Sequence, residues 1–378
     1  MIDILWPCSF STKIVLAATS SFLFSLLLGP VFIRKLLELK IGQPIRTYEG
    51  FLLAELHKKK ENTPTMGGGL IIFSILISML LWANWSNLFT PLLCSTMIVF
   101  GTLGAIDDWT KFSKKSFKGI PGRLRLLVQT LWALFVIVLL FFPSLFEIVG
   151  IQQPTILQGG RSIDWREFFA TTFLPFMKSP ICIAAGITWA FVFFIQWFTI
   201  VGTANAVNLT DGLDGLASGC LILVAIPLIL VSCITNHQEL SYQYAFPYIE
   251  SSGQIALCLA ALVGASIGFL WFNSYPAQVF MGDTGSLAIG GLLGMSAVLL
   301  KQEWLLALIA GVFVVETLSV IIQVLYFKKR RKRIFLCSPL HHHFEYKGLA
   351  EPKVVIRFWI AGLLFSILGI LSILMGRA

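Results

Sequence analysis

The sequence predicts an all-α, polytopic integral membrane protein with about ten transmembrane helices and both termini on the extracytoplasmic side. Of its 378 residues, 57% are hydrophobic and only 12% are charged, whereas a soluble domain has roughly 25% charged residues. Mean hydropathy is +0.83. The apolar residues are collected in windows of about 17–25 residues, which is the length that crosses a bilayer as a helix.

Ten apolar windows are separated by short polar segments. We therefore expect residues 1–378 to form a single transmembrane domain. The predicted spans are 12–33, 67–85, 91–107, 126–145, 181–203, 214–234, 253–272, 285–300, 304–326 and 356–376. The only long outer segment, 146–180, contains Gly159 and Gly160 and is expected to form a small hairpin or a surface helix.

The orientation of the spans follows from the basic residues. Segments 34–66, 107–125 and 327–357 contain 22 of the 28 Lys and Arg residues. Basic loops are retained on the cytoplasmic side, so these segments are predicted to be cytoplasmic. The same asymmetry accounts for the net charge of +9 without nucleic acid as a partner.

Cysteine spacing argues against a disulfide framework or a zinc site. The seven cysteines form no CxxC pair, and most lie inside apolar windows, where they are expected to act as small buried hydrophobic residues.

The unusual polar residues cluster on the predicted cytoplasmic side. Asp107 and Asp108 end the third span, and adjacent helical residues point about 100° apart, so the two carboxylates can address different partners. A carboxylate pair at a membrane boundary is costly unless it is paired, hydrated or bound to metal. Lys111 as a simple counter-ion is the alternative. Five cytoplasmic segments are expected to form one active site: 34–66, 107–125, 203–214, 273–285 and 327–355.

Two of these segments, 203–214 and 273–285, contain no Lys or Arg. They contain Asn205, Asn208, Asp211, Asp214, Asn273 and Asp283. Carboxylates without basic neighbours suit a hard divalent cation, and Mg²⁺ prefers carboxylate, water and phosphate oxygens. Asp211 and Asp214, spaced i,i+3, would share a face on a helical turn, although capping of the sixth span is the alternative for either residue.

Glycines and cations complete the predicted pocket. Gly67, Gly68 and Gly69 open the second span and suit either a phosphate-accepting turn or close helix packing. The expected anion-binding cations are Lys60, Lys111 and Arg123.

Further polar residues occur near the ninth span. Glu316 and Gln323 lie within that span at i,i+7, where either a functional role or a helix–helix hydrogen bond is expected. His341, His342 and His343 are consecutive, so they do not suit one metal ion on a regular element. They can instead hydrogen-bond phosphate or shuttle protons.

Carboxylates, a divalent cation and basic clamps suit phosphoryl or pyrophosphate chemistry. A membrane location suits a substrate with a long polyprenyl chain, because each buried CH₂ contributes about 0.8 kcal/mol to membrane partitioning. Only the phosphate head of that substrate would reach the surface, where it would meet a soluble cytoplasmic substrate.

Five motifs, in this order, resemble those of the phospho-N-acetylmuramoyl-pentapeptide-transferases. The motifs are Thr63 to Gly68, Asp107-Asp108, Asn205 to Gly215, Phe280 to Ser286 and Pro339 to Glu345. The resemblance implies transfer of phospho-MurNAc-pentapeptide from its UDP carrier to undecaprenyl phosphate, which gives lipid I and UMP in the first membrane step of peptidoglycan synthesis. It also implies Mg²⁺ dependence, ten spans in the bacterial cytoplasmic membrane and commonly a homodimer.

By motif position, the resemblance implies that Asp283 binds Mg²⁺ and that Asp107 and Asp108 act on the phosphate nucleophile or hold the metal-bound pyrophosphate. Asn205, Asp211 and Phe280 would bind the uridine end. The same cleft would be lined by Lys60, Thr65, Lys111, Asn208, Asp214, Gly282 and Ser286. His341, His342 and His343 would face the phosphates or the sugar-peptide, and Arg123 stands where the family often has Lys.

Two other functions fit parts of the sequence. A polyprenyl-phosphate GlcNAc-1-phosphate transferase shares the aspartates, but the run from Pro339 to His343 favours the muramoyl-pentapeptide branch. A lipid transporter would have ionisable groups near the middle of the bilayer, and only Glu316 fits that pattern.

Overall fold

The computed structural model describes residues 9–39, 63–114, 119–142, 154–177, 179–180, 182–183 and 188–375. In these ranges the protein is almost entirely helical. The helices are α1 Phe10–Glu38, α2 Gly68–Trp82, α3 Phe89–Ser113, α4 Gly122–Phe141, α5 Trp165–Phe169, α6 Thr188–Thr210, α7 Leu216–Thr235, α8 Gln238–Gln243, α9 Gly253–Asn273, α10 Gly282–Leu299, α11 Glu303–Ile309, α12 Gly311–Arg330, α13 Leu340–Tyr346 and α14 Glu351–Met375. The strands are β1 Ile156–Gln158, β2 Arg161–Ser162, β3 Thr171–Thr172, β4 Cys182–Ile183 and β5 Tyr248–Ile249.

The all-α polytopic prediction is confirmed. Among the described residues, nine helices are long and apolar enough to cross a membrane, and α2 is a shorter apolar helix. Each of the ten predicted spans overlaps one of these ten helices. The fifth span is displaced from its predicted bounds of 181–203, because α6 extends to Thr210; Asn205 and Asn208, predicted in a loop, therefore lie in the last two turns of α6. The ninth span differs from the prediction, because the backbone leaves helical geometry at Ala310 and divides the segment into α11 and α12.

Helix α10 lies at the centre of the bundle, where it packs against α3 on one side and α6 on the other. Small residues allow this close approach. A Cβ added at Gly290 would lie 2.7 Å from Ala204 Cα, and one at Gly294 would lie 2.8 Å from Ile200 Cα. This packing holds the N-terminus of α10 between the ends of α3 and α6.

Helices α1, α4, α12 and α14 present large apolar side chains on the outside of the bundle, among them Leu27, Leu131, Leu325 and Leu364. A soluble protein rarely exposes continuous apolar surface of this kind, so these faces suit contact with lipid. The five cysteines for which side-chain surroundings are described are free, and three of them are buried.

The described part of segment 146–180 contains both a hairpin and a short helix, as the sequence predicts. Strands β1 and β2 pair antiparallel through Gly159 and Gly160, whose φ angles of 58° and 81° suit a tight two-residue turn. Helix α5 follows, capped by the Asp164 side chain. Strand β5 joins β1 from the loop after α8.

Candidate active site

Three carboxylates meet where α3 and α10 come together. One oxygen from each of Asp107, Asp108 and Asp283 lies within 4.8 Å of the others. Asp107 and Asp108 belong to the last two turns of α3 and are only 2% and 3% exposed. Asp283 is the second residue of α10. Packing three such groups together at the membrane boundary requires compensating positive charge or a bound cation.

Two basic side chains supply positive charge. Lys111 Nζ lies 2.6 Å from Asp107 Oδ2 and 2.9 Å from Asp283 Oδ2, so it bridges the two carboxylates. Arg125 Nη1 lies 3.1 Å from the same oxygen of Asp283. Both cations come from the basic segment 107–125, which compensates for the absence of Lys and Arg in segments 203–214 and 273–285.

Arg125, which the sequence analysis did not single out, is the arginine of α4 that contacts the carboxylates. Arg123 is exposed. Because α4 begins at Gly122, two residues along the helix rotate a side chain by about 200°. The phase of that helix therefore determines which arginine reaches Asp283.

Asp108 caps the N-terminus of α10. Its Oδ1 accepts a hydrogen bond from the Asp283 N–H at 3.2 Å, and its Oδ2 accepts from the N–H and the hydroxyl of Thr284 at 2.9 and 2.7 Å. A carboxylate at a helix N-terminus is favoured by the free N–H groups and by the helix dipole. Asp108 and Asp107 thus address different partners, as adjacent helical positions predict.

The other oxygens of the cluster are also oriented. Asp107 Oδ1 accepts a hydrogen bond from the Ile120 N–H at 2.6 Å. Asn208 Nδ2 donates to Asp283 Oδ1 at 2.8 Å and to Ser286 Oγ at 2.9 Å. Asn208 and Ser286, both predicted site residues, therefore fix the rotamer of the Asp283 carboxylate.

Gly282, immediately before Asp283, has a φ of 74°, which an L-residue with a Cβ rarely adopts. A Cβ at this position would lie 2.7 Å from both Asp108 Oδ2 and Thr65 Oγ1. Thr65 is buried, so this predicted site residue lies against the carboxylate cluster. The glycine is required both for the backbone turn and for the approach of these two side chains.

The glycine run at the start of α2 serves helix packing. The N–H groups of Gly67 and Gly68 donate to the carbonyls of Phe280 and Met281, each at 2.8 Å. A Cβ at Gly68 would overlap the backbone of Gly285. Because these N–H groups are already bonded, the alternative of a phosphate-accepting turn is wrong for these two residues.

Asp211 lies in the turn after α6, near the backbone N–H of Gly282. Burial raises the pKa of the Asp211 carboxyl to about 8, and the negative charges of Asp283 and Asp108 add to this shift. The structure thus brings Asp211 to the edge of the cluster, as predicted, in an environment that favours the neutral carboxyl.

Asp214 organises the neighbouring loop. Its Oδ2 accepts a hydrogen bond from the Ala277 N–H, and its own N–H donates to Glu351 Oε1, both at 2.9 Å. The N-cap of α7 is Gly215, without a side-chain cap. The alternative of N-capping of the sixth span by Asp211 or Asp214 is therefore wrong.

Asn273 ties three segments together. Its Oδ1 accepts from Gly215 N–H and Ser218 Oγ, and its Nδ2 donates to the Val279 carbonyl at 2.9 Å. The side chain is buried. These bonds hold the loop that carries Phe280, a half-buried residue, next to the start of α7.

Gln323 accepts hydrogen bonds at Oε1 from the N–H groups of Ile334 and Phe335, at 3.1 and 3.0 Å. It therefore shapes the loop after α12, and the expected helix–helix hydrogen bond is replaced by a helix–loop contact.

Asn205, one turn from Asn208 on α6, donates to Gln129 on α4 at 2.8 Å.

His341 is fully buried against Glu316 of α12. The His341 N–H donates to Glu316 Oε1 at 3.1 Å, and His341 Nδ1 lies 3.3 Å from the same oxygen. The opposite edge of the ring approaches Gly212, because a Cβ added at Gly212 would overlap His341 Nε2. The ring thus connects the ninth span to the turn that carries Asp211.

His342 and His343 point to different partners. His342 Nδ1 lies 2.7 Å from Glu345 Oε2. His343 Nδ1 accepts from the Leu336 N–H at 3.1 Å, and burial together with the charge of Lys347 holds the pKa of His343 below its usual value. The His341 and His342 rings pack edge-on with their centroids 4.2 Å apart, whereas the His343 ring packs against Phe335. Lys60 lies outside the described residues.

The cluster fits a divalent cation chemically. It offers one carboxylate oxygen from each of three residues, all within 4.8 Å of one another. Carboxylate oxygens are the protein ligands that Mg²⁺ prefers. Lys111 and Arg125 stand beside these oxygens, where they can also bind phosphate oxygens.

Comparison with known proteins agrees with this chemistry. The sequence model of the family described as glycosyl transferase family 4 matches residues 89–301. The chain is 47% identical to the phospho-N-acetylmuramoyl-pentapeptide-transferase of Protochlamydia amoebophila (strain UWE25), with 96% of this chain and 94% of the relative covered. The proteins of the same name from Syntrophus aciditrophicus (strain SB) and Neisseria meningitidis serogroup C (strain 053442) are 43% and 40% identical, each with 95% of this chain and 92% of the relative covered. The chain therefore belongs to the phospho-N-acetylmuramoyl-pentapeptide-transferase family.

Proposed function

We propose that this chain transfers phospho-MurNAc-pentapeptide from UDP-MurNAc-pentapeptide to undecaprenyl phosphate, forming lipid I and UMP. The observation that carries this proposal is the cluster of Asp107, Asp108 and Asp283 beside Lys111 and Arg125, at the end of apolar spans where a lipid phosphate can meet a soluble nucleotide. The shared name of the relatives favours the muramoyl-pentapeptide donor over UDP-GlcNAc and favours an enzyme over a lipid transporter.

The proposed cofactor is Mg²⁺, with Asp283 as its ligand and Asp107 beside it. When bound, the cation would neutralise negative charge on the donor pyrophosphate. Asn208 supports this role of Asp283, because its amide holds one carboxylate oxygen and leaves the other directed at Lys111 and Arg125. Those two side chains would then bind phosphate oxygens of the substrates.

Asp108 is proposed to position the pocket. It fixes the N-terminus of α10 through three hydrogen bonds, and so places Asp283 opposite Asp107. The turn with Asp211, together with Asn205 and Phe280, is proposed to bind the uridine end. His341, held by Glu316, is proposed to support the Gly212 turn beside the substrate pocket.

The phosphate of the lipid is proposed to attack the sugar-linked phosphorus directly, with UMP as the leaving group, in one step. The competing path is a phospho-aspartate at Asp107 or Asp108, in which the attacking oxygen would have to leave its present contacts. Both oxygens of Asp108 accept hydrogen bonds, and those of Asp107 contact Ile120 and Lys111. Trapping of phosphorylated protein from the UDP-linked donor, with lipid acceptor omitted, would contradict the one-step path.

The proposed location is the bacterial cytoplasmic (inner) membrane, with both termini outside and the carboxylate pocket on the cytoplasmic face. The basic segments that flank the pocket support this orientation. As the family resemblance implies, the working state is proposed to be a homodimer.

A UMP-release assay on the detergent-purified chain tests the proposal. We expect release that needs both substrates and Mg²⁺, and near-complete loss in Asp283→Asn with Mg²⁺ present. Asp164→Asn, at the exposed N-cap of α5 in the segment between α4 and α6, is the matched control and should keep wild-type activity. Full activity of Asp283→Asn, or release that is independent of Mg²⁺, would contradict the proposal. A transporter would release no UMP in detergent.

A further inference from the structure

A pair of amides lies one helical turn deeper in the membrane than the carboxylate cluster. On α4, Gln129 follows Arg125 at i+4, and on α6, Asn205 precedes Asn208 by three residues. Arg125 and Asn208 both contact Asp283. One turn of helix rises about 5.4 Å, so Gln129 and Asn205 form a polar layer one turn away from Asp283.

The contacts of Asn205 fix the orientation of its amide. Asn205 Nδ2 lies 2.8 Å from the Val201 carbonyl and 2.8 Å from Gln129 Oε1. A carbonyl oxygen only accepts, so the nitrogen of the Asn205 amide must be the atom that faces Val201. Both hydrogens of that nitrogen are then used, and Gln129 must present its oxygen.

Two polar atoms of the pair, Gln129 Nε2 and Asn205 Oδ1, are not used in the contact between the two amides. Gln129 is fully buried, and its Nε2 has no hydrogen-bond partner among the described residues. Asn205 Oδ1 accepts no hydrogen bond within the described part of the chain, and it is not one of the buried unpaired atoms. The half-buried Asn205 can therefore accept a hydrogen bond from a ligand through Oδ1, but it has no free N–H group to donate.

We propose that Gln129 is a positioning residue that locks the Asn205 amide with its oxygen toward the substrate. The group that Asn205 contacts is then a hydrogen-bond donor, a hydroxyl or an N–H of the nucleotide-sugar substrate. A phosphate oxygen of the ionised substrate only accepts and does not fit. This inference rests on the proposed role of Asn205 in binding the UDP-linked donor.

Steady-state kinetics of Gln129→Met test the positioning role. Met removes both polar atoms with a similar side-chain length. We expect a rise of about tenfold in KM for the UDP-linked donor, the size of one lost hydrogen bond, with kcat and the KM for undecaprenyl phosphate changed less than about twofold. Gln129→Glu should restore the donor KM, because a carboxyl oxygen still accepts from Asn205 Nδ2.

Thr130→Val is the matched control. It removes another hydrogen bond between the same two helices, from Trp197 Nε1 to Thr130 Oγ1 at 3.2 Å, without touching Asn205. We expect wild-type kinetics for this variant. A donor KM raised equally in Thr130→Val and Gln129→Met would mean that general packing of α4 on α6 is responsible, and would overturn the inference.

A double-mutant cycle separates this inference from the proposed function. In the Asn205→Ala background, Gln129→Met should cause no further change, because nothing remains to be positioned. An impaired Asn205→Ala together with a wild-type donor KM for Gln129→Met, or equal losses in both backgrounds, would overturn the positioning role alone. Wild-type kinetics of Asn205→Ala would overturn the proposed role of Asn205 and the inference with it.

Discussion

Replacing Gly282 by Ala tests the geometry of the carboxylate cluster with a single methyl group. The φ of 74° costs an L-residue about 1–2 kcal/mol. In addition, the new Cβ would lie 2.7 Å from Asp108 Oδ2 and Thr65 Oγ1, and ordinary contact begins at 3.4 Å. The Asp108 carboxylate must therefore move by about 0.7 Å, away from the N-terminus of α10 that it caps.

The two effects are separated by a matched glycine. Gly348 has a φ of 85°, and an added Cβ there meets nothing within 4 Å. Gly348→Ala therefore suffers the backbone strain without the collision. Gly348→Ala should lose about 1–2 kcal/mol of stability and Gly282→Ala at least as much, because it adds the collision to the same backbone strain. Only Gly282→Ala should lose activity, by about 10-fold to 100-fold, because misplacement of catalytic groups on the 1 Å scale has effects of this size.

The assay is UMP release at saturating Mg²⁺, with thermal unfolding of the same detergent preparations. We expect Tm to fall by a few degrees in both variants and kcat to fall only in Gly282→Ala. Wild-type kcat in Gly282→Ala would refute the close approach of Asp108 to the start of α10. An equal loss of kcat in Gly348→Ala would refute the attribution of the effect to the collision.

Three further variants probe other contacts of the pocket. Glu316→Gln keeps an acceptor for the His341 N–H but replaces the second carboxyl oxygen beside the buried ring by an amide nitrogen, so UMP release should fall about tenfold with little change in Tm; unchanged release would contradict a role for this pair. Lys111→Met should lower kcat at least about tenfold while Mn²⁺ binds no more weakly, since the ammonium competes with a cation for the carboxylates; weaker Mn²⁺ binding would contradict that competition. The pKa of Asp211, raised to about 8 in the folded state, adds stability that is full at low pH and is lost as the pH rises toward 8. In EDTA, the Tm of wild type minus that of Asp211→Asn should therefore decrease from pH 5 to pH 8, and parallel pH profiles would contradict the shift.

The helical spans were predictable because lipid imposes one simple rule, a long run of apolar residues for each crossing. Each of the ten apolar windows overlaps one of the ten long or apolar helices of the described residues, in the same order. The break at Ala310 was not visible, because residues on both sides of it are equally apolar. The pairing of β5 with β1 was not visible either, because it joins loops about ninety residues apart through backbone hydrogen bonds, which leave no pattern in the sequence.

Chemical type and motif identify candidate site residues in the sequence, but they do not predict the individual contacts of those residues. Arg125 was missed in favour of Arg123 because the rotation of α4 depends on where the helix starts. Asn273 and Gln323 resemble substrate-binding residues in sequence, yet their polar atoms bond to backbone groups of neighbouring loops. Only the folded arrangement distinguishes an amide that holds a loop from one that faces a ligand.

The glycines illustrate the same limit. Gly67 and Gly68 suited either anion binding or packing, and the choice depends on whether their N–H groups are free. In the folded protein those groups donate to carbonyls of the segment before α10, about 210 residues away in the chain. Sequence spacing cannot reveal such a long-range partner.

Binding of Mn²⁺ to the purified chain, followed by electron paramagnetic resonance, is the most direct test of the proposed cation site at Asp283 and Asp107. We expect saturable binding at a site for which Mg²⁺ competes, with affinity reduced at least about tenfold in Asp283→Asn. Glu250→Gln, which removes an acidic group near β5 that contacts Thr155, should bind Mn²⁺ as wild type does. Undiminished Mn²⁺ affinity in Asp283→Asn would contradict our proposal that the carboxylates brought together by α3 and α10 bind the cation.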